Sequence, residues 1–226
     1  MIITIDGPAG TGKSTVAQTV AQNLGFDFLD TGAMYRAIGL AALRRHTNLE
    51  DERELAYVSR MSKIVFDFSV HPPEVLLNGE PVSHLLRAGD ATRAASFVAL
   101  VPAVREQLVR QQQILGASRP NLVTEGRDQG TVVFPQAELK FYLDATPIER
   151  ARRRAHQLRA RGEVVDIAML QNQIMDRDSR DARRAVGPLA IPPGAEVIDT
   201  TTMPLSSVVD KIVAKARQLQ IKPDAS

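Results

Sequence analysis

The 226-residue sequence contains no cysteine, which excludes disulfide bonds, thiolate metal ligands and cysteine nucleophiles. It also has no long apolar run, because the longest one covers residues 37–43 and is too short to cross a bilayer. The first residues are strand-like, and no basic stretch of the kind found in signal peptides precedes them. We therefore expect a cytoplasmic protein that does not insert into a membrane.

Several signatures of nucleotide-binding and catalytic proteins are missing as well. The dinucleotide fingerprint G-x-G-x-x-G is absent, which disfavours a nicotinamide enzyme. The N-K-x-D and D-x-x-G motifs of signalling GTPases are absent, and so is the apolar strand ending in Asp-Glu that is typical of motor ATPases. The histidines lie in separate segments, with no metal-ligand spacing and no recognisable serine and acid partners: His46, His71, His84 and His156.

The charged residues are unevenly distributed along the chain. The formal net charge is only +2, and the balance of 44% hydrophobic to 24% charged residues suits a globular protein with a substantial core. Arginine is dense between Arg150 and Arg184, whereas the first thirty residues contain a single basic residue, Lys13. This bias indicates either an anionic ligand or a solvated helix face.

The sequence opens with MIITIDGPAGTGKST, in which residues 2–5 favour a strand. Apolar residues from Val16 onward repeat at helical spacing until Gly25, a typical helix stop. Between strand and helix, residues 7–14 match the pattern G-x-x-x-x-G-K-S, whose backbone N–H groups surround a polyphosphate while its lysine reaches the terminal phosphates. The predicted nucleotide site consists of Gly7, Pro8, Ala9, Gly10, Thr11, Gly12, Lys13, Ser14 and Thr15.

Short apolar segments alternate with helical patterns in much of the remaining chain. Strands are predicted at residues 2–5, 26–29, 122–124, 139–143 and 196–198, which favours an α/β fold with a parallel sheet covered on both faces. Residues 64–70 instead alternate with period two, and Asn78-Gly79 is a hairpin signal. We therefore predict a small antiparallel meander inserted before Pro102, which suits the first turn of a helix.

The segments after this helix contain further helix signals. Thr146-Pro147-Ile148-Glu149 predicts a capping box at the start of an arginine-bearing helix, and Gly162 separates this helix from the next. Residues 221–226 are predicted to form a frayed tail. In the later helix, the spacing places three residues on one face, as part of a site or as a plain ladder of salt bridges: Arg177, Asp181 and Arg184.

Four segments carry a resemblance to a known family: IDGPAGTGKST, LDTGAMYR, EGRDQGTVVFP and RDSRDARRAVGPL. With the meander insert, they make the chain similar to the bacterial cytidylate kinases, a family of P-loop nucleoside monophosphate kinases, over nearly its whole length. The resemblance implies a three-layer sandwich around a five-stranded parallel sheet. Its core would be residues 1–46 and 102–226, with a nucleoside-monophosphate-binding insert at residues 47–101 and a short helical lid at residues 146–165.

The resemblance also implies the reaction, which is transfer of the γ-phosphoryl group of ATP to CMP or dCMP with Mg²⁺. Thr31, Arg105 and Asp128 fall where the family contacts cytosine, and a carboxylate beside a guanidinium suits the donors and acceptors of that base. Without the surrounding match, an ion pair with Arg127 would be the simpler reading of Asp128. The sugar contacts implied are Ser96, Arg177 and Asp181, and the phosphate contacts are Arg36, Arg127 and Arg184.

Catalysis in such a site is expected to depend on positioning and electrostatics, with the acceptor phosphate as the nucleophile. Ser14 is expected to bind Mg²⁺, with Glu125 contributing through a water molecule. Thr31 and Glu125 stand where serine and aspartate are expected in the family. The expected catalytic residues, including lid arginines that would close over the donor phosphates, are Lys13, Arg127, Arg150, Arg153, Arg154 and Arg184.

Two other functions remain open on the residues alone. One is a P-loop kinase for another small acceptor, such as UMP or shikimate. The other is a nucleotide-binding regulator that uses the loop as a switch or binds RNA through its arginines. Over both alternatives, the resemblance favours a kinase with CMP, dCMP and ATP as small-molecule partners, no nucleic-acid or membrane partner, and a monomeric state.

Overall fold

The computed structural model describes residues 1–160 and 162–221, so the predicted tail beyond residue 221 and residue 161 of the predicted lid lie outside it. No helix within these ranges combines the length and apolar character that a membrane span needs. The elements in chain order are β1 (Ile2–Asp6), α1 (Lys13–Leu24), β2 (Asp27–Asp30), α2 (Thr31–Arg44), α3 (Glu52–Met61), β3 (Ile64–Asp67), β4 (Glu74–Leu77), β5 (Glu80–Pro81), α4 (Gly89–Val98), α5 (Pro102–Ala117), β6 (Leu122–Glu125), a π-helical turn (Gln129–Val133), β7 (Leu139–Asp144), α6 (Pro147–Arg159), α7 (Ile167–Ala182), β8 (Glu196–Asp199) and α8 (Leu205–Ile221).

A five-stranded parallel sheet of order β2-β6-β1-β7-β8 lies at the centre of the fold. β1 is its middle strand, with Ile3 opposite Val123 on one side and Leu139 on the other. All five strands predicted from the sequence are present, and each extends one residue further toward its carboxyl end than predicted. Because β1 is central, it leads the chain into the glycine loop at the middle of the sheet's carboxyl edge, where ligands bind in open α/β sheets.

Helices cover both faces of this sheet. On one face α1 and α8 contribute Val16 and Ile212 to a single cluster of buried residues. On the other face α2 and α5 contribute Met34 and Leu108 to a second cluster. The predicted three-layer α/β arrangement is thereby confirmed.

The segment between α2 and α5 contains the predicted meander, a three-stranded antiparallel sheet of β3, β4 and β5. Asn78 and Gly79 form the turn between β4 and β5 with φ values of 54° and 89°, as the hairpin signal predicts. The sequence patterns do not predict α3 or α4. In α4 small residues pack closely on α2: a Cβ added to Gly39 would lie 2.9 Å from the backbone nitrogen of Ala95. Small residues give weak hydrophobic periodicity, so this helix leaves little signal.

The start of α6 corrects one prediction. Thr146 is the N-cap residue, but its side chain makes no capping hydrogen bond. Glu149, the expected partner in the capping box, instead accepts a hydrogen bond from Nε of Arg153 at 3.2 Å. A charged donor one turn along the helix competes successfully for the carboxylate. Proline does occupy the first turn of both α5 and α6, as predicted.

Candidate active site

The glycine loop joins β1 to α1, and its backbone requires glycine. Gly7, Gly10 and Gly12 have φ values of 143°, 84° and 93°, in the region that L-residues rarely adopt. A Cβ on Gly7 would lie 2.0 Å from the carbonyl oxygen of Leu143 in β7. The loop therefore packs directly on the end of the neighbouring strand, which fixes where its N–H groups converge.

Lys13 is buried at the start of α1 and turns back over the loop. Its Nζ donates to the carbonyl oxygen of Pro8 at 2.7 Å and lies 3.5 Å from Oγ1 of Thr11. Burial, and after it the positive charge of Arg127, lowers the pKa of Lys13 from 10.5 to about 7. A bound polyphosphate would place negative charge beside this amine and stabilise its protonated form.

Ser14 and Glu125 bring two oxygen ligands together beside the loop. The Ser14 hydroxyl donates to Oε1 of Glu125, the last residue of β6, at 2.7 Å. Burial raises the pKa of Glu125, and the nearby carboxylate of Asp30 raises it further. A cation between these oxygens would relieve both effects.

Arg105 of α5 and Asp128 form a buried ion pair, with Nη2 and Oδ2 separated by 2.5 Å. Arg105 also donates to the carbonyl oxygen of Ala99 at 3.3 Å, and its guanidinium lies 5.4 Å from the ring centre of Tyr35. The pairing of Asp128 with Arg127 that the sequence left open is not formed. The structure thus brings together two of the residues assigned to the base.

Thr31, the third residue assigned to the base, lies buried at the start of α2. Its hydroxyl donates to the backbone oxygen of Glu125 at 2.7 Å. Ser96, assigned to the sugar, donates instead to the carbonyl oxygen of Arg93 within its own helix.

Four arginines are assigned to the sugar and phosphate of the acceptor, and three of them bind two carboxylates. Arg127 and Arg184 both bind Asp181, the former through Nε at 3.0 Å, while Arg36 binds Asp30 at 2.7 Å. Burial would raise the pKa of Asp181, but the charges of Arg127 and Arg184 outweigh it and hold that pKa below its usual range. Within the described ranges, three of these guanidinium groups have a buried Nε without a hydrogen-bond partner: Arg36, Arg177 and Arg184.

Arg177 is the fourth of these arginines, and its guanidinium is buried close to that of Arg127. Burial, followed by the charge of Arg127, lowers the pKa of Arg177 to about 10. Arg184 was expected on the same helical face, but α7 ends at Ala182 and Arg184 reaches Asp181 from the segment that follows. Surplus guanidinium groups with unused buried donors indicate a site for a phosphate group.

Two of the three α6 arginines expected in the lid bind oxygen atoms of the glycine loop and its surroundings. Arg150 donates to the carbonyl oxygens of Ala9 and Ala145, both at 3.0 Å, and Arg153 donates to Oγ1 of Thr200 at 3.0 Å. Arg150 and Arg153 therefore bind the glycine loop and the segment at Thr200, and their part in a lid over the donor phosphates stays a prediction. Arg154 is partly exposed and donates to Oε1 of Gln157 at 3.4 Å.

Two carboxylates of the site were missed by sequence reasoning. Asp6, fully buried at the end of β1, accepts from the backbone N–H groups of Gln129 at 2.8 Å and Gly130 at 2.7 Å. It thereby fixes the turn that directly follows Arg127 and Asp128. Burial is the main reason that the pKa of Asp6 rises to about 7. The only sequence signal was its place directly before the glycine loop.

The second missed carboxylate is Asp178. It lies in the segment RDSRDARRAVGPL, which carries part of the resemblance, but the resemblance implies no role for this residue. Its Oδ1 accepts from the backbone N–H of Ala9 at 3.0 Å, and its Oδ2 binds Arg150. This residue therefore connects α7 to the glycine loop.

Comparison with known proteins identifies the family. The family profile described as Cytidylate kinase matches residues 3–218. The cytidylate kinase of Pelotomaculum thermopropionicum is 47% identical over 214 residues, which cover 94% of each chain. The bifunctional pantoate ligase/cytidylate kinase of Synechococcus sp. (strain JA-2-3B'a(2-13)) is 46% identical over 96% of this chain, which spans 41% of that protein.

A solved structure supports the fold alone. The uncharacterized protein from Eubacterium ventriosum aligns with a TM-score of 0.52 at 12% identity, covering 96% of this chain and 98% of that one. The family match and the identity to curated relatives confirm the resemblance carried by the sequence segments. This chain belongs to the cytidylate kinase family.

Proposed function

We propose that this protein transfers the γ-phosphoryl group of ATP to CMP and dCMP, forming CDP and dCDP. The family and its curated relatives support this activity. The single observation that carries the choice of acceptor is the buried ion pair between Arg105 and Asp128 near the glycine loop. A buried charged pair is costly to desolvate, and recognition of a polar base would explain why this site contains one.

Cytosine suits this pair because it carries an amino donor at N4 beside acceptors at N3 and O2. The ion pair uses Oδ2 of Asp128, which leaves Oδ1 to accept from the amino group, while Arg105 donates to the ring acceptors. Uracil presents a carbonyl oxygen where cytosine has the amino group, and this oxygen would face a carboxylate with no proton to donate. The unpaired buried groups would reject UMP by up to ~10⁴-fold.

The arginines assigned to the phosphate hold the acceptor for attack. Arg36, Arg127 and Arg184 supply donors to the phosphate of CMP, and the buried, unpartnered Nε atoms of Arg36 and Arg184 support this role. Asp181 and Arg177 lie beside them and bind the sugar, with Ser96 as a third contact. A planar guanidinium engages two oxygens at once and so fixes the direction of the attacking oxygen.

On the donor side, the glycine loop surrounds the phosphates of ATP, and Lys13 exchanges its contact with Pro8 for a phosphate oxygen. Lys13, Arg127 and Arg184 stabilise the charge of a loose transition state, and one or more of the α6 arginines approach the donor phosphates when the lid closes. Arg150 and Arg153 contribute by holding the loop from outside. The nucleophile is an oxygen of the CMP phosphate, so no covalent enzyme intermediate is needed.

The residues present fit Mg²⁺. The Ser14 hydroxyl and the Glu125 carboxylate are hard oxygen ligands 2.7 Å apart, beside the loop that would hold the phosphates. Mg²⁺ usually retains several waters and binds through one or two protein oxygens plus phosphates, so Ser14 would be a direct ligand and Glu125 a contact through water. When bound, the ion neutralises phosphate charge during transfer.

An acceptor panel tests the proposal. Purified protein with Mg²⁺ and ATP is incubated separately with CMP, dCMP, UMP, AMP and shikimate, and the phosphorylated product is identified by chromatography. CDP and dCDP are expected at rates far above any other product. Equal turnover of UMP and CMP would contradict the reading of the base, and ATP binding without CMP-dependent ADP release would contradict the kinase activity.

The cellular setting is a further part of the proposal. We infer a monomer that works in the cytoplasm on free nucleotides, without nucleic acid or membrane. The lack of cysteine agrees with a reducing compartment. Sedimentation of the purified protein, with and without both nucleotides, would measure its oligomeric state.

A further inference from the structure

The backbone of Ala9 in the glycine loop is held at both its N–H and its carbonyl group by charged side chains from outside the loop. Its N–H donates to Oδ1 of Asp178 at 3.0 Å, and its carbonyl oxygen accepts from Nη1 of Arg150 at 3.0 Å. The same Nη1 of Arg150 binds the other carboxylate oxygen of Asp178. The three groups form a closed ring of hydrogen bonds, in which Arg150 is buried and only 15% of the Asp178 side chain is exposed.

This ring links two parts of the site that bind different substrates. Asp178 and Asp181 are three residues apart on α7, so their side chains lie on neighbouring parts of one helix face. Asp181 binds Arg127 and Arg184 on the acceptor side, and Asp178 binds the loop on the donor side. A movement of α7 would therefore change the hydrogen bonds of the Ala9 backbone.

We propose that Asp178 is a positioning residue that couples occupation of the acceptor site to the shape of the glycine loop. It touches neither substrate in this assignment, and it acts through the Ala9 backbone and Arg150. The Ala9 carbonyl group shares a planar peptide unit with the N–H of Gly10, so the hydrogen bond from Arg150 to this carbonyl sets the direction of the Gly10 N–H in the loop. The inference rests on the proposed function, because it takes CMP and ATP as the two ligands.

The coupling is measurable as a binding equilibrium. Calorimetry gives the dissociation constant of a non-hydrolysable ATP analogue with Mg²⁺, first without and then with saturating CMP. For the natural chain we expect CMP to tighten analogue binding at least ~5-fold, in the range of ordinary coupling between sites. For Asp178→Asn, which keeps an oxygen for the Ala9 N–H but loses the charge that holds Arg150, we expect the ratio to fall close to one. The affinity for CMP alone should change less than about two-fold, because Asp178 lies outside the acceptor contacts.

A matched control and a second variant separate coupling from damage to the fold. Asp176→Asn removes an exposed carboxylate from the same helix and should keep the natural ratio. Arg150→Gln should lose the coupling as Asp178→Asn does, and the double variant should lose no more than either single one, because the two residues act as one ring. Thermal melts of all variants verify that each is folded.

The outcomes distinguish this inference from the proposed function. A chain that converts CMP to CDP but shows no tightening, or an Asp178→Asn variant that keeps the natural ratio, would overturn the role of Asp178 alone. A natural chain that does not convert CMP would overturn both.

Discussion

Among single side chains, Asp128 is the one on which base selection most depends. In Asp128→Ala the amino group of cytosine loses its acceptor and Arg105 is left as a buried unpaired charge. We expect kcat/KM for CMP to fall by roughly 10²–10³-fold and the preference for CMP over UMP to shrink, since unpaired buried groups cost about 1–3 kcal/mol each or more when charged. The KM for ATP should change little. Steady-state kinetics with both acceptors measures these quantities.

A remote carboxylate provides the control for this experiment. Asp210→Ala removes an exposed charge from α8 and should leave both acceptors unaffected. Loss of ATP and CMP recognition in equal measure in Asp128→Ala would argue against a role in reading the base.

Asp6 predicts a dependence of stability on pH. Its pKa in the folded chain is about 7, raised from 3.8 chiefly by burial, so the folded state keeps a proton that the unfolded state has lost. This contribution to the free energy of unfolding is complete below 3.8 and is lost as the pH rises through about 7. Asp6→Asn cannot titrate. Its free energy of unfolding should therefore gain on that of the natural chain by an amount on the order of 4 kcal/mol between about pH 4 and pH 8.

Urea unfolding of both proteins across this range measures the difference. The variant has lower stability at acid pH if its amide cannot accept both backbone N–H groups, so the informative quantity is the slope with pH. A difference that stays constant from about pH 5 to pH 8 would mean that Asp6 is ionised throughout.

The sequence predicted the residues of the site that belong to local motifs and missed those that act across the fold. The glycine loop and Asp128 lie in segments that carry the resemblance, and the resemblance also implied the role of Arg105. Asp6 meets its partners 123 and 124 positions later in the chain, and Asp178 meets Ala9 169 positions earlier. No local pattern encodes such contacts, so only the fold reveals them.

At the scale of strands and loops, the turn from β1 into the glycine loop leaves no room for a side chain at Gly7. In Gly7→Ala the new methyl group would lie 2.0 Å from the Leu143 carbonyl oxygen at a φ of 143°, so β7 or the loop must move. We expect loss of at least ~3 kcal/mol of stability, in the range of large steric and backbone effects, and loss of ATP binding. Chemical denaturation and calorimetry measure the two.

Gly25→Ala is the matched substitution at the other end of α1. Gly25 also has a positive φ, of 67°, but no heavy atom lies within 4 Å of the added Cβ. Only the left-handed backbone is strained, which costs about 1–2 kcal/mol, and ATP binding should persist. Similar losses in the two variants would show that the contact with Leu143 is not what requires glycine at position 7.

The secondary structure could be predicted where its pattern is strong. The five strands of the parallel sheet, the Asn78-Gly79 hairpin and the proline-started helices follow from local residue types. The π-helical turn at Gln129–Val133 could not be predicted, because it depends on two backbone N–H groups being held by Asp6. The capping box failed for a related reason, since a salt bridge replaced the local hydrogen bond.

In the chain taken whole, the insert shares its core with the α/β body. One cluster of buried residues includes Leu55 of α3, Leu77 of β4 and Leu108 of α5. We expect the insert to unfold together with the body in one transition, and Leu55→Ala to lower the free energy of unfolding by about 2–5 kcal/mol without splitting it. Circular dichroism and fluorescence of a bound dye during urea unfolding would test coincidence.

Val65→Ala is a control on the exposed face of β3, where the side chain is 42% exposed, and it should cost far less. Two separate transitions, with the first lost in Leu55→Ala, would instead show that the insert is an independent unit.

The central claim is that the chain holds two nucleotides end to end and reads the acceptor as cytidine. Phosphorus NMR of a mixture of ATP, Mg²⁺ and equal concentrations of CMP and UMP follows both possible products in one sample. The account predicts that the CDP signal grows first and UDP accumulates only after CMP is largely consumed. UDP rising in parallel with CDP, or ATP remaining unchanged, would contradict it.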